Sequence, residues 1–131
     1  MADKAELISS LVSELRRGVI VLVVLSQLHE PKYGYSLVQT LQEKGVPVDA
    51  GTLYPLLRRL EKQELLHSDW EVGGSKPRKY YVMNDLGKEV YHTLCAEWTS
   101  MMENMGKLLN GDMPTNSAPS NLIDFRKGEG E

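Results

Sequence analysis

Residues 52–61 read TLYPLLRRLE, and their leucines recur at the spacing of one helix face. Counted from the first leucine, they fall at i, i+3, i+4 and i+7, which predicts an amphipathic helix with a single apolar stripe. The opposite face carries a hydroxyl, a phenol and three cations, namely Thr52, Tyr54, Arg58, Arg59 and Lys62. Such a face fits a helix that reads a nucleic-acid groove. The alternative is an ordinary amphipathic surface helix, and the flanking sequence has to decide between the two.

The overall composition indicates one ordinary domain without a global preference for nucleic acid. The chain has 131 residues, of which 41% are hydrophobic and 25% charged, and its formal net charge is -3. Any contact with DNA must therefore come from a local basic patch. The single cysteine, Cys95, excludes an internal disulfide and suits a reducing compartment. The longest apolar run, residues 19–25, is far shorter than the roughly 20 residues of a membrane span, so we expect a cytoplasmic protein.

The N-terminal segment predicts one long helix from about Lys4 to Leu28. Leu7, Leu11 and Leu15 keep helical spacing, and a continuous apolar run follows them. The β-branched residues of that run would also suit a strand, but the amphipathic lead-in and the lack of turn residues favour a helix. Because its second half is apolar all round, it must be covered by the domain core and also by a second subunit.

The next two elements are short helices. The first begins at Tyr35 or Ser36 and stops at Gly45, a residue that readily takes the left-handed conformation after a helix end. The second is the leucine-rich helix, which we expect to start near Ala50. That start places Pro55 beyond the first turn, where it removes one internal hydrogen bond.

A change of period after these helices predicts a hairpin. Residues 65–72 alternate between apolar and polar, residues 73–77 carry turn residues, and residues 78–83 are again typical of a strand. Because neighbouring side chains on a strand point to opposite faces, one of Tyr80 and Tyr81 is expected in the core. The predicted fold is mainly α with a small β-hairpin, a helix-turn-helix followed by a basic wing.

The last helix, capped by Asn84 or Asp85, carries a heptad seam typical of coiled helices. Its apolar residues recur at intervals of 4, 3, 4 and 3, and they are Leu94, Trp98, Met101, Met105 and Leu108. With Leu7 and Leu11 of the first helix, this seam predicts the interface of a homodimer.

Three regions follow from these patterns. Residues 1–83 form the winged helix-turn-helix domain, and residues 84–110 form the dimerisation helix. Residues 111–131 are poor in apolar side chains and rich in Asn, Ser, Pro and Gly, which predicts a disordered tail.

The chain resembles the PadR family of bacterial transcriptional regulators. The motifs that carry the resemblance are LRRG at residues 15–18, YGY at 33–35, GTLYPLLRRLE at 51–61, LL at 65–66, RKYY at 78–81 and LG at 86–87. Each motif alone is weak, but their order and spacing together are specific. The resemblance implies a dimeric, sequence-specific DNA-binding regulator, and the single C-terminal helix is similar to that of the family's small subclass.

The resemblance also implies a ligand site. Trp98 falls where multidrug-responsive members place a tryptophan that faces its partner copy and sandwiches flat aromatic compounds. Leu94 and Met101 lie beside it in sequence, and the chain departs from those members around this position. The implied mechanism is a repressor that a planar aromatic or hydrophobic molecule releases by changing the angle between subunits. The alternative is that Trp98 only packs the dimer.

The predicted DNA contacts lie on three elements. Phenols, hydroxyls and cations can bind phosphates or base edges, and the candidates are Tyr33, Tyr35, Thr52, Tyr54, Arg58, Arg59, Lys76, Arg78 and Lys79. The alternative for the two arginines is an ion pair with Glu61 or Glu64. A dimer would read an inverted repeat of double-stranded DNA with half-sites about 34 Å apart.

No pattern points to catalysis. The sequence offers no nucleophile beside a base and no glycine-rich phosphate loop, and His29, His67 and His92 lack the spacing of metal ligands. We therefore expect neither an enzyme nor a bound metal or cofactor. The competing class is a winged-helix module that binds another protein.

Overall fold

The structure is a computed structural model that describes residues 3–112, and this part of the chain forms five helices and three strands. Their bounds are α1 Lys4–Arg17, α2 Ile20–Ser26, β1 Lys32–Tyr33, α3 Gly34–Glu43, α4 Ala50–Lys62, β2 Leu66–Glu71, β3 Arg78–Met83 and α5 Asp85–Leu108. The strands form one antiparallel sheet in the order β1-β3-β2. The predicted fold class is confirmed: a mainly helical winged helix-turn-helix with a long C-terminal helix.

The chain divides into two compact units, residues 1–95 and 96–131, so that the boundary falls inside α5. The first unit contains the helix-turn-helix and the wing. Apart from its first two residues, the predicted tail lies outside the described residues. Within residues 3–112, no helix is both long enough and apolar enough to cross a membrane.

The prediction of one continuous helix from Lys4 to Leu28 is wrong, because a turn at Gly18 and Val19 separates α1 from α2. The Val19 amide bonds to the carbonyl of Arg16 at 3.0 Å, three residues back instead of four. Glycine is a poor helix former because it loses the most backbone freedom, and a β-branched residue follows it here. The interruption leaves α1 without a buried residue, whereas α2 contributes to the core.

The core is built around α4. This helix buries Leu53, Leu56, Leu57 and Leu60, each with at most 8% of its surface exposed. They pack in one cluster with buried residues of α2, α3 and the two longer strands. The predicted start at Ala50 is confirmed, with Asp49 as the N-cap and the proline inside the helix.

Both helices of the helix-turn-helix end at a residue in the left-handed conformation. Gly45 follows α3 with φ 84°, and Glu64 follows α4 with φ 65°. In each case the amide of the next residue returns to a carbonyl five positions earlier, at 2.9 and 3.0 Å, which is the Schellman ending of a helix. Gly45 is thereby confirmed as the stop of α3, although that helix begins at Gly34, earlier than predicted.

The sheet register places two sets of side chains on opposite faces. Tyr81 lies opposite Ser68 and is 3% exposed, whereas Tyr80 lies opposite Tyr33 and Asp69 and is only half-buried. One tyrosine of the pair is therefore a core residue, as the alternation predicted. The strand β1 itself was not predicted, because two residues are too few to show a period.

The start of α5 is fixed against the end of α4. Asn84 caps α5 by accepting the Gly87 amide at 2.8 Å, and its own amide group donates to the Glu64 carbonyl at 2.8 Å. Gly87 is buried, and a Cβ at this position would stand 2.1 Å from the Leu65 carbonyl oxygen. The predicted cap at Asn84 is confirmed, and the close approach explains why glycine follows Leu86.

We expect Gly87→Ala to lower the free energy of unfolding by about 3 kcal/mol, because the new methyl group meets a backbone carbonyl that cannot move aside. Urea denaturation at fixed protein concentration measures this loss. Gly106→Ala in the same helix is the matched control, since nothing lies within 4 Å of its Cβ position and alanine favours helix. Equal stability of the two variants would contradict the close approach.

Candidate nucleic-acid interface

A groove of about 920 Å³ lies between the start of α3, the exposed side of α4 and the wing. Seven of the nine residues predicted for DNA contact line it, and these are Tyr33, Tyr35, Tyr54, Arg58, Lys76, Arg78 and Lys79. The other two, Thr52 and Arg59, are exposed on α4 and do not line the groove. Residues up to 46 positions apart in sequence thus meet on one surface.

Tyr35, Arg58 and Arg59 are three of the residues predicted for DNA contact, and all three are exposed. Tyr35 is 67% exposed, and its hydroxyl accepts a hydrogen bond from Gln39 at 3.0 Å, so Tyr35 is not a packing residue. Among residues 3–112, Glu61 pairs with Lys79 rather than with Arg58 or Arg59. The two arginines of α4 are therefore exposed cations.

A first polar cluster connects α4 to the inner face of the wing. The Lys79 ammonium lies 3.6 Å from the Glu61 carboxylate, and it also lies over the rings of Trp70 and Tyr81, at 5.8 and 5.5 Å from their centroids. Glu61 accepts a further hydrogen bond from the Ser68 hydroxyl. Because this cluster spans α4, β2 and β3, it connects the inner face of the wing to the leucine-rich helix.

A second polar cluster lies on the outer face of the wing. Tyr33 donates its hydroxyl to the Glu71 carboxylate at 2.5 Å, and the Arg78 guanidinium lies 5.5 Å from the centroid of the Tyr33 ring. The hydrogen bond to Glu71 raises the pKa of the Tyr33 phenol, since an anionic acceptor favours the protonated form. At neutral pH Tyr33 is therefore a neutral donor whose proton is already engaged.

Tyr54 is held in place by a glycine. A Cβ at Gly34 would stand 2.5 Å from Cε1 of the Tyr54 ring and 3.3 Å from its hydroxyl oxygen. The ring therefore lies directly on the backbone of the first turn of α3, a contact that only glycine permits. This contact sets the spacing between α3 and α4 on the side that faces the groove.

Sequence reasoning missed three residues of this surface. Trp70 lines the groove and is 56% exposed, while Glu61 and Glu71 provide the carboxylates of the two clusters. The period of β2 contained a signal for Trp70, because it lies four residues beyond buried Leu66 and therefore on the same face. The two carboxylates had no local signal, since their partners lie on other elements.

The residues predicted for the dimer interface and the ligand site lie on α1 and α5. On α1, apolar side chains are exposed along one face, and they are Leu7, Ile8, Leu11, Val12 and Leu15, at 37–79%. On α5, Met101, Met105 and Leu108 are exposed at 42–81%, whereas Trp98 is half-buried. Leu94 packs against the core of the first unit.

A helix-turn-helix whose exposed helix face meets a basic wing in one groove defines the class of winged-helix DNA-binding proteins. Comparison with known proteins supports the assignment to this class. A model of the transcriptional regulator PadR-like family matches residues 21–93, more than half of the chain. The chain belongs to this family, and it is therefore a DNA-binding transcriptional regulator.

Several relatives show the same similarity, two of them of known structure. The crystal structure of a PadR family transcriptional regulator from Eggerthella lenta is 53% identical in sequence, covers 82% of this chain and 96% of that chain, and superposes with a TM-score of 0.78. A PadR-like transcriptional regulator from Bacillus cereus is 30% identical, with coverage of 75% and 98% and a TM-score of 0.66. A transcriptional regulator of Mycobacterium tuberculosis is 34% identical over 76 residues, which are 57% of this chain and 71% of that protein.

We expect Gly34→Ala to lower the free energy of unfolding by about 2 kcal/mol, because the new methyl group displaces the Tyr54 ring from its contact with α3. The same displacement should weaken binding to duplex DNA. Urea denaturation and fluorescence anisotropy with a labelled duplex measure the two effects. Gly18→Ala is the matched control, since its Cβ position is empty to 4 Å. A Gly34→Ala protein as stable as the Gly18→Ala protein would contradict the contact.

Proposed function

We propose that this regulator is a homodimeric repressor that binds an inverted repeat and leaves it when a planar aromatic or hydrophobic molecule binds beside Trp98. The observation that carries the proposal is the groove, which collects cations and phenols on one surface of a chain whose net charge is -3. Such local concentration of charge suits a polyanion better than a neutral protein partner.

On DNA, α4 enters the major groove and the wing lies along the flanking backbone. Thr52 and Arg59 lie on the exposed side of α4, and Arg58 lines the protein groove between α4 and the wing. Arginine binds guanine edges and phosphates with two donors at once, and a threonine hydroxyl binds either. Lys76 and Arg78 on the wing, with Tyr35 and Tyr33 at the start of α3, contact phosphates.

The second copy of the chain covers the apolar faces of α1 and α5. Support comes from the exposed leucines of α1 and from the heptad spacing of α5, since a row of large apolar side chains is unfavourable in water. A twofold axis then presents two α4 helices to successive major grooves, about 34 Å apart. Such a protein acts where the DNA is, in the cytoplasm.

The effector site uses Trp98, with Leu94 and Met101 one turn away on either side. An indole stacks on flat aromatic molecules, and methionine adapts to ligands of different shape. A molecule inserted between two copies of Trp98 changes the angle between subunits, and the α4 pair then no longer matches the spacing of the grooves.

We expect Arg58→Ala and Arg59→Ala each to weaken binding to genomic fragments retained by the wild-type protein, by roughly ten- to a hundredfold. The double variant should abolish retention but still sediment as a dimer. Anisotropy titrations at increasing salt measure the effect, and wild-type affinity should fall steeply as salt rises. Lys44→Ala, an exposed cation at the other end of α3, is the control and should bind as wild type. A flat salt response would argue against phosphate contacts.

The effector site is tested by tryptophan fluorescence in a Trp70→Phe background, where Trp98 is the remaining tryptophan. We expect planar aromatic dyes to quench this emission and to lower affinity for DNA. Met105→Asp places a charge in the α5 seam and should give a monomer on sedimentation that no longer shows the quenching. Quenching that persists in the monomer, or a broad dye panel without effect, would leave Trp98 as a packing residue.

A further inference from the structure

Glu71 is an acidic side chain placed among the groups that the proposed function assigns to phosphate. Its carboxylate accepts the Tyr33 hydroxyl at 2.5 Å, and Tyr33 lines the groove together with Arg58, Lys76 and Arg78. Carboxylate and phosphate are both oxygen anions that accept hydrogen bonds from phenols and guanidinium groups. In the protein without DNA, Glu71 thus accepts the hydroxyl that the proposed function assigns to a phosphate oxygen.

The same carboxylate shares a sheet face with the wing arginine. Glu71 lies directly opposite Arg78 in the β2–β3 register, so both side chains leave the same face of the sheet. The Arg78 guanidinium in turn lies 5.5 Å from the centre of the Tyr33 ring. Three residues from β1, β2 and β3 therefore form one exposed cluster in which a single negative charge faces a phenol and a cation.

The contact is too exposed to be explained by stability. Glu71 and Arg78 are both exposed, and the wing is already held by six β2–β3 residue pairs and by the Glu61 cluster on its inner face. Exposed polar contacts add little to folding free energy, whereas a charge on a surface that meets a polyanion changes its affinity directly.

We propose that Glu71 limits the affinity of the wing for any duplex, because its carboxylate competes with phosphate for Tyr33 and Arg78. The inference rests on the proposed function, since it assumes that the groove meets DNA. Binding to arbitrary sequence comes almost entirely from phosphate contacts. Glu71 therefore keeps the affinity for arbitrary sequence low. The base contacts of α4 must then supply the remaining binding free energy at the operator.

The test compares wild type with Glu71→Gln, which keeps the size and the hydrogen-bond acceptor but removes the charge. The probe is a fluorescently labelled 24-base-pair duplex of scrambled sequence. At low salt we expect the variant to bind it about three- to tenfold more tightly, the effect of one repulsion at roughly 7 Å in a well-solvated surface. The gain should shrink as salt rises, because ions screen exposed charges.

Two further variants make the result specific. Glu43→Gln makes the same chemical change at an exposed carboxylate of the far end of α3, and its affinity should stay within about twofold of wild type. Tyr33→Phe removes the phenol oxygen but keeps the Glu71 charge, and should bind no more tightly than wild type. Thermal unfolding of each variant confirms that the fold is retained.

Several outcomes would overturn the inference. Unchanged binding by Glu71→Gln would show that the carboxylate does not oppose phosphate, and weaker binding would make Glu71 a positioning residue for Tyr33. An equal gain in Glu43→Gln would reduce the effect to net charge. If the wild-type protein binds no duplex at any salt concentration, the proposed function itself fails, and that result is recognised before any variant is measured.

Discussion

The burial of one leucine face of α4 is the constraint on which the remaining structure depends. Leu53, Leu57 and Leu60 have at most 2% of their surface exposed, and burying a leucine side chain contributes about 1.5–3 kcal/mol. Because the leucines occupy the buried face of α4, the cations on the opposite face are exposed to solvent. The same interaction that forms the core therefore orients the surface that meets DNA.

The alternation of side chains along the strands orients the wing in the same way, because the two faces of β3 contact different elements. Side chains on the inner face of β3 run from buried Met83 through Tyr81 to Lys79, which pairs with Glu61. Side chains on the outer face include Arg78, whose guanidinium lies 5.5 Å from the centre of the Tyr33 ring. Each face of a six-residue strand thus connects to a different helix of the helix-turn-helix, the inner face to α4 and the outer face to the start of α3. A shift of one residue in the register would exchange the two sets.

The features that sequence predicted are those that local pattern determines. The leucine period fixed α4, the glycine and proline residues between two alternating stretches fixed the hairpin, and Asn84 followed by a helix pattern fixed the start of α5. The turn at Gly18 was missed because an amphipathic helical pattern before it and an apolar run after it together resemble one continuous helix. In the site, the predicted cations and phenols do converge, but Glu71 has its hydroxyl partner 38 positions away. No local pattern reports such a partner, since it depends on the pairing of β1 with β3.

The balance of charge across the groove explains how an acidic chain can still meet a polyanion. Lys79 pairs with Glu61, and the Tyr33 hydroxyl donates to Glu71, so these two groups already have an anionic partner before DNA arrives. Arg58 and Lys76 also line the groove, and within residues 3–112 neither has a carboxylate partner. For the matched groups, a phosphate can only replace a carboxylate, an exchange of one anion for another with little net gain. The attraction to DNA must therefore come mainly from two sets of cations without such a partner in the described part of the chain, those of α4 and those of the wing. Since these two lie on different elements, a duplex satisfies both only when α4 and the wing engage together.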